Sequence, residues 1–345
     1  MSKREQRCLI IKTSSYGDIL HTIDVLQYLR KRQNYKIDWV VEKRCLNLLE
    51  EIRGIDRIIV CDFRNFWKKC WKKNFWIELL KDLRWNKYDV VFDLQGNCKS
   101  GLVTLLSRAY CKVGFGKKAV REWPNLLVTS QHINVDRGEN LRKQYLDVVK
   151  TYFNDFSLFT PQIEFLGKNV EKKREKISGK LKVMLCPFSK WPQKMMDPQF
   201  LLKFMQKIKD KYGPDVFCIF GNEKEEKYLK NLFSSKEWEK IVFWSSPSFA
   251  EWQRKMQDMD IVITVDSCSL ALCGISGVRS FSIFGPTKKE VIMPFCGDHF
   301  AVQLPCCYGL KFVQICSKWR NCSSSCMMNG EVEQAFSYFA DVING

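Results

Sequence analysis

Three polar clusters stand where an apolar run gives way to a turn. The first is "KTSSYGDILHT" (12–22), directly after "CLII". A strand that turns through Ser and Gly into a helix leaves backbone N–H groups open at the helix N-terminus, where an anion or a polar sugar can bind. Asp18 falls in the first turn of that helix. By spacing alone it is equally well explained as a favourable first-turn charge, with Ser14 or Ser15 as the cap. The second cluster is "FSKWPQKMMDPQF" (188–200). Here Ser189 and Lys194 emerge at a strand's C-terminal end, ahead of a helix beginning near Asp197 and Pro198. A lysine there can neutralise a phosphate, or it can sit on a solvated loop. The third is "DIVITVDSCSLALCGISG" (260–277), a buried strand ending in Asp266 and Ser267 before a helix of small residues that lets a ligand approach closely. Nearby, "SIFGPT" ends another strand in a Gly-Pro turn with the hydroxyl of Thr287. Each cluster taken singly is also what an ordinary strand-to-helix turn needs.

These clusters must be held by something, and the pattern between them says what. The first half alternates short β-like runs with amphipathic stretches: "CLIIK", "GDILHTIDVLQYLRKRQ", "KIDWVVE", "CLNLLEEI", "DRIIVCD" and "YDVVFDLQG". A second series follows, with "KVMLCPF", "FLLKFMQKIKDKYG", "DVFCIFG", "KIVFWSS", "SFAEWQRKMQDM", "DIVITVDS" and "RSFSIFGPT". Alternation of this kind predicts βα units on parallel sheets, an α/β protein whose ligands sit at strand C-terminal ends. A charged stretch over 167–182 interrupts the series and reads as a linker. The expected domains are therefore 1–166 and 183–330, with a final helix in 331–345 and a ligand cleft between the two domains. A chain of 345 residues is long enough for both to have a core.

Composition narrows the partners. Apolar residues make up 46% and charged residues 27%, which excludes a disordered or fibrous chain. The N-terminal apolar run is too short for a signal peptide or a membrane span, so the expected location is the cytoplasm, with the cysteines as reduced thiols or metal ligands. A formal charge of +18 calls for a partner rich in phosphates or carboxylates: nucleic acid, an anionic membrane face or a phosphorylated glycolipid. One Arg and four Lys stand among three tryptophans in "FRNFWKKCWKKNFW" (63–76). The stretch suits either aromatic and cationic contacts to a ligand or a helix whose tryptophans pack inward while its lysines face water. Late in the chain, "CCYGLKFVQICSKWRNCSSSC" carries Cys307, Cys316, Cys322 and Cys326. The four thiols lie close enough in sequence for zinc, but the spacing lacks the usual Cys-x-x-Cys knuckle, and buried or reactive thiols are the favoured reading.

Together the clusters resemble the bacterial heptosyltransferases of glycosyltransferase family 9, which build the lipopolysaccharide inner core. "LIIKTSSYGDILHT" is similar to that family's N-terminal signature almost residue for residue. "KIDWVVE", "YDVVFDLQGNCKSG", "SKWPQK" and "FGPT" follow in the family's order. The likeness spans nearly the whole chain and is nearest the type that adds the first heptose to a Kdo sugar. It implies a GT-B fold, two Rossmann-like domains facing across a cleft, with the acceptor on the first and ADP-heptose on the second. It implies Asp18 as catalytic base and Lys194 as the phosphate lysine. Ser15, Ser189, Glu225, Asp266, Ser267 and Thr287 become nucleotide-sugar contacts, with Glu225 on the ribose and Glu226 its rival. Arg64, Lys68, Lys69 and Arg121 become contacts to a Kdo-containing lipid A precursor. Trp67 and Trp71 are then placed to dip into the headgroups of an anionic membrane face. No cofactor or metal is implied, and nucleic acid is disfavoured.

One position departs from the pattern. Five residues beyond the strand-end aspartate, where the family usually carries a histidine near the diphosphate, stands Ala271. That leaves open a transferase for another nucleotide sugar, or a catalytically lapsed protein that binds glycolipid or nucleic acid.

Overall fold

The computed structural model describes residues 5–63, 73–167, 179–245, 248–295, 297–306, 308–318, 321–322, 326–327 and 331–344. Its contacts divide the chain into two units, Met1–Gln162 and Ile163–Gly345. In the first, β1 (Arg7–Ile11), β2 (Lys36–Glu42), β3 (Arg57–Cys61), β4 (Tyr88–Asp93), β5 (Ala109–Phe115) and β6 (Gln131–Ile133) form a sheet ordered β3-β2-β1-β4-β5-β6. In the second, β7 (Lys182–Cys186), β8 (Asp215–Phe220), β9 (Val242–Ser245), β10 (Ile261–Val265), β11 (Ser280–Phe284) and β12 (His299–Gln303) are ordered β12-β11-β10-β7-β8-β9. The pairings in both sheets are parallel, with Ile11 beside Asp93 and Cys186 beside Thr264.

The two sheets share one plan. Each unit's first strand lies centrally, and succession reverses beside it, at β1/β4 and at β7/β10. Such reversal points open a crevice outside the strands' carboxyl ends. Centrality explains the sequence of these strands: Cys8 to Ile11 and Ile261 to Val265 are fully buried, because a parallel strand covered on both faces has no use for polar alternation.

Each unit packs its own core. Leu9, Ile11, Val40, Ile59 and Val91 cluster in the first. In the second, the helix Pro198–Tyr212 brings Phe204 within 5.9 Å of Phe281, ring centroid to centroid. The last helix, Val332–Asn344, inserts Phe339 against both, at 5.8 and 5.2 Å. Each fully buried ring contributes roughly 1.5–3 kcal/mol of hydrophobic stabilisation, so this helix is part of the second core. In the first unit, Arg142 at the start of the helix Leu141–Tyr152 makes a buried two-pronged bond to Asp24, at 2.8 and 2.5 Å. That pairing ties this helix to the helix Ile23–Gln33.

Candidate active site

At the β1/β4 reversal the chain leaves β1 as Lys12-Thr13-Ser14-Ser15 and enters the short helix Tyr16–His21. The peptide bond between Ser14 and Ser15 is cis. Gln95, just beyond β4, holds this turn: its Oε1 accepts from the N–H groups of Thr13 and Ser14, at 3.1 and 3.3 Å. Gln95 is held in its turn by Asp93, whose Oδ1 accepts from the N–H groups of Gln95 and Gly96. The other oxygen of Asp93 accepts from Thr104 and Asn125. Gly96 adopts φ +67, a conformation that a side chain disfavours, and its carbonyl accepts from the N–H groups of Arg121 and Glu122. Three loops, after β1, β4 and β5, are thereby tied into one rim.

Asp18 stands on that rim, half-buried. Its Oδ2 accepts from the Ser15 N–H at 2.9 Å and the Ser15 hydroxyl at 3.0 Å. The cap interaction anticipated from spacing is thus real, with the carboxylate reaching back to the residue that begins the helix. Its Oδ1 accepts a longer bond, 3.4 Å, from the hydroxyl of Tyr145 on the helix Leu141–Tyr152. Behind Tyr145 lies Lys12, only 3% exposed, whose Nζ donates to the Tyr145 Oη at 2.7 Å and to the Leu94 carbonyl at 2.9 Å.

The charges around Asp18 oppose one another. Burial pushes its carboxyl up, but Lys12, the Ser15 N–H, His21 and Arg121 together outweigh that and hold it below the ordinary carboxylate value. Burial also lowers Lys12 from 10.5 to about 8, with Arg121 adding to the fall and Asp18 and Asp93 resisting it. Burial and the Asp18 charge push Tyr145 well above its usual value, so it remains a neutral hydroxyl. The arrangement is a carboxylate kept ionised near neutrality and able to accept a proton.

The second unit repeats the position with different groups. Ser189 and Lys194 follow β7, Asp266 and Ser267 follow β10, Glu225 follows β8, and Thr287 follows β11. All six stand at the carboxyl ends of four adjacent strands. Three are in direct contact: Lys194 Nζ lies 2.5 Å from Asp266 Oδ2, and the Ser189 hydroxyl donates to the Asp266 carbonyl at 3.2 Å. Lys194 also lies over the ring of Trp191, 4.3 Å from its centroid. Ser267 caps the small-residue helix Cys268–Ser276, accepting from the Ser269 N–H. Glu225 Oε2 accepts from the Gly221 N–H at 2.7 Å, while its rival Glu226 pairs with Lys230 on the same helix. Thr287 is buried, and its Oγ1 has no hydrogen-bond partner among the described residues. A buried hydroxyl left in that state costs about 1–3 kcal/mol unless something bonds to it.

The cysteine-rich segment buttresses the Thr287 turn. Thr287 bridges to Ile315, and the Cys316 N–H donates to the Pro286 carbonyl at 2.8 Å. Met327 comes so near Gly285 that a β-carbon there would lie 2.7 Å from its sulfur. Cys316 and Cys326 are buried and Cys322 is half-buried, while Cys307 lies outside the described residues. Among the described residues, no three His, Cys, Asp or Glu side chains are arranged to hold a metal ion. Arg64, Lys68, Lys69, Trp67 and Trp71 also lie outside the described residues. Arg121 is exposed beside the Asp18 rim. Ala271 is buried in its helix and brings no polar atom to the site.

Sequence reasoning singled out neither Lys12 nor Tyr145, nor the clamp by Gln95. Lys12 had a visible signal, a lysine prolonging a run that is otherwise wholly buried. Tyr145 had none, being one aromatic on an amphipathic helix far along the chain.

Two units of Rossmann strand order with polar groups at their reversal points are the architecture of GT-B glycosyltransferases. The model of glycosyltransferase family 9 (heptosyltransferase) matches residues 76–311, and the chain belongs to that family. It is 26% identical over 296 residues to lipopolysaccharide heptosyltransferase 1 of Campylobacter coli, covering 81% of this chain and 84% of that protein. To the enzyme of the same name from Salmonella typhimurium it is 24% identical, covering 87% and 94%. The fold matches the solved structure of E. coli heptosyltransferase WaaC with ADP at a TM-score of 0.76 and 18% identity, over 98% of this chain and 100% of that one. The form with ADP-2-deoxy-2-fluoro heptose gives 0.75 at 19% identity, over 99% and 100%.

Proposed function

We propose that this glycosyltransferase moves heptose from ADP-heptose to the Kdo region of a lipopolysaccharide inner-core precursor, inverting the anomeric configuration. The observation that carries the reading is Asp18: an ionised carboxylate, held by Ser15 and backed by Lys12 and Tyr145, at the carboxyl end of a central strand. Its carboxylate takes the proton of the acceptor hydroxyl as that oxygen bonds to the anomeric carbon. The bond from that carbon to the diphosphate oxygen breaks, and ADP leaves with the electron pair. Lys194 and the N–H groups of the Cys268–Ser276 helix supply positive charge where the leaving diphosphate gains negative charge. In the unliganded pair, Asp266 holds Lys194 in place; bound diphosphate shares that ammonium. Glu225 accepts from the ribose.

The relatives' names support a lipopolysaccharide acceptor, and the ADP-containing neighbours support the donor. A net charge of +18 and the exposed Arg121 suit an acceptor bearing carboxylates and phosphates at an anionic membrane face. Among the described residues no helix is long and apolar enough to cross a membrane, so contact with that face is peripheral in this reading. Ala271 favours a second reading, a donor other than ADP-heptose, because the place near the diphosphate offers only a methyl group. A transfer assay with purified ADP- and UDP-sugars and a Kdo-containing lipid A acceptor separates the two. Transfer from ADP-heptose alone supports the first; transfer only from another nucleotide sugar overturns it.

A further inference from the structure

Lys12 is a buried ammonium whose two described partners, the Leu94 carbonyl and the Tyr145 hydroxyl, are both neutral. A lysine so enclosed is costly to bury, and the strand needs only an apolar side chain at that place for its packing. The Tyr145 oxygen accepts a hydrogen bond from the Lys12 ammonium, which directs the Tyr145 O–H away from the lysine and toward Asp18 Oδ1. Asp18 is therefore gripped from two sides, by Ser15 on Oδ2 and by Tyr145 on Oδ1. The buried Arg142–Asp24 pair one turn earlier anchors the helix that presents Tyr145.

We propose that Lys12 and Tyr145 are positioning residues for the reaction. The ammonium fixes the tyrosine hydroxyl and the hydroxyl fixes Asp18, so that the carboxylate is held charged and in one orientation toward the acceptor. The proposal rests on the reading of Asp18 as the base. The charged and titratable groups bearing on Asp18 are Lys12 at the end of β1, His21 on its own helix, Arg121 after β5 and Tyr145 on the helix Leu141–Tyr152. Those bearing on Lys12 are Asp18, Arg121 and Asp93. Of the cations, Lys12 is the largest influence on Asp18 and opposes the effect of burial. Without it, the groups that oppose burial lose their largest member and the carboxyl rises.

The test is the pH profile of transfer from ADP-heptose to a Kdo-containing lipid A acceptor, measured for the native protein, Lys12→Met, Tyr145→Phe and Asp18→Asn. The native kcat is expected to show no acid limb from Asp18 above about pH 5. Lys12→Met moves that limb to higher pH, its kcat falling from pH 8 to pH 5 by a larger factor than the native protein's, with the donor KM changed less than about threefold. Tyr145→Phe, which removes a single hydroxyl and keeps the helix, moves the profile the same way by a smaller factor. It decides the matter alone if Lys12→Met does not fold. A Lys12→Met or Tyr145→Phe profile that superimposes on the native one after scaling overturns the proposal, because a merely structural loss lowers the plateau without moving the limb. Full activity of Asp18→Asn is a different result: it removes the base itself, and this proposal with it.

Discussion

The rim at β1/β4 and the rim at β7/β10 are built on the same strand order and carry opposite chemistry. In the first, a carboxylate has cations around it at some distance and, among the described residues, is hydrogen-bonded by the neutral donors Ser15 and Tyr145. In the second, an ammonium and a carboxylate, Lys194 and Asp266, are in direct contact. The difference teaches what each half is prepared for. An ionised carboxylate bonded by neutral donors keeps its charge while remaining able to accept another proton. A lysine closed on an aspartate is stored in place, and in the proposed reading it exchanges part of that contact for a diphosphate.

The contrast breaks most sharply at Asp18. Asp18→Asn is expected to lower kcat about 10²–10⁴-fold while ADP binding by calorimetry stays unchanged, since the donor groups lie in the other unit. Loss of ADP binding instead would mean that the two rims do not divide the work. Next in size is the burial of Lys12, whose folded value of about 8 lies below the 10.5 of the free side chain. Between those values the unfolded chain binds more protons, so this group's contribution to stability rises with pH across the window, and its cost is complete below pH 8. Urea unfolding of the native protein and Lys12→Met at pH 7, 9 and 10.5 should show the gap moving in the native protein's favour by about 3 kcal/mol. A gap independent of pH would contradict a buried ammonium.

On the other rim, Lys194→Met should lower kcat about a hundredfold and weaken ADP, which the Asp18 variant does not do. The smallest effect belongs to Thr287→Val. Because the Oγ1 has no partner among the described residues, the unliganded protein should keep or slightly gain thermal stability. A fall of about fivefold in ADP affinity, the loss of one hydrogen bond, would show that a diphosphate reaches this buried hydroxyl. Unchanged affinity would remove Thr287 from the diphosphate site.

Much of this molecule is readable from residue order. The central strands announce themselves as unbroken apolar runs, and the Ser/Gly/Asp turns after β1 and β10 show as abrupt polar punctuation. The edges are harder. β6 is three residues long, β5 mixes Lys112 and Tyr110 into its pattern, and β12 begins at a histidine, so none offers the clean period of a covered strand. The long helical stretch expected after Gly17 is two helices, Tyr16–His21 and Ile23–Gln33, because Thr22 turns its hydroxyl back to the Asp18 carbonyl at 2.8 Å. Thr287, read as a hydroxyl on an open turn, is instead covered by the cysteine-rich segment, a contact between distant parts of the chain.

The sequence by itself determined the two α/β units, the family and the strand-end positions of Asp18, Lys194 and Asp266, because backbone geometry, strand burial and turn chemistry are local and leave periodic marks. Only the tertiary structure decided that Asp18 is joined through Tyr145 to Lys12 and that Lys194 closes on Asp266. Those partners lie 127 and 72 residues away from Asp18 and Lys194 along the chain. Charge and hydrogen bonding act through space, and their strength depends on burial that no local pattern records.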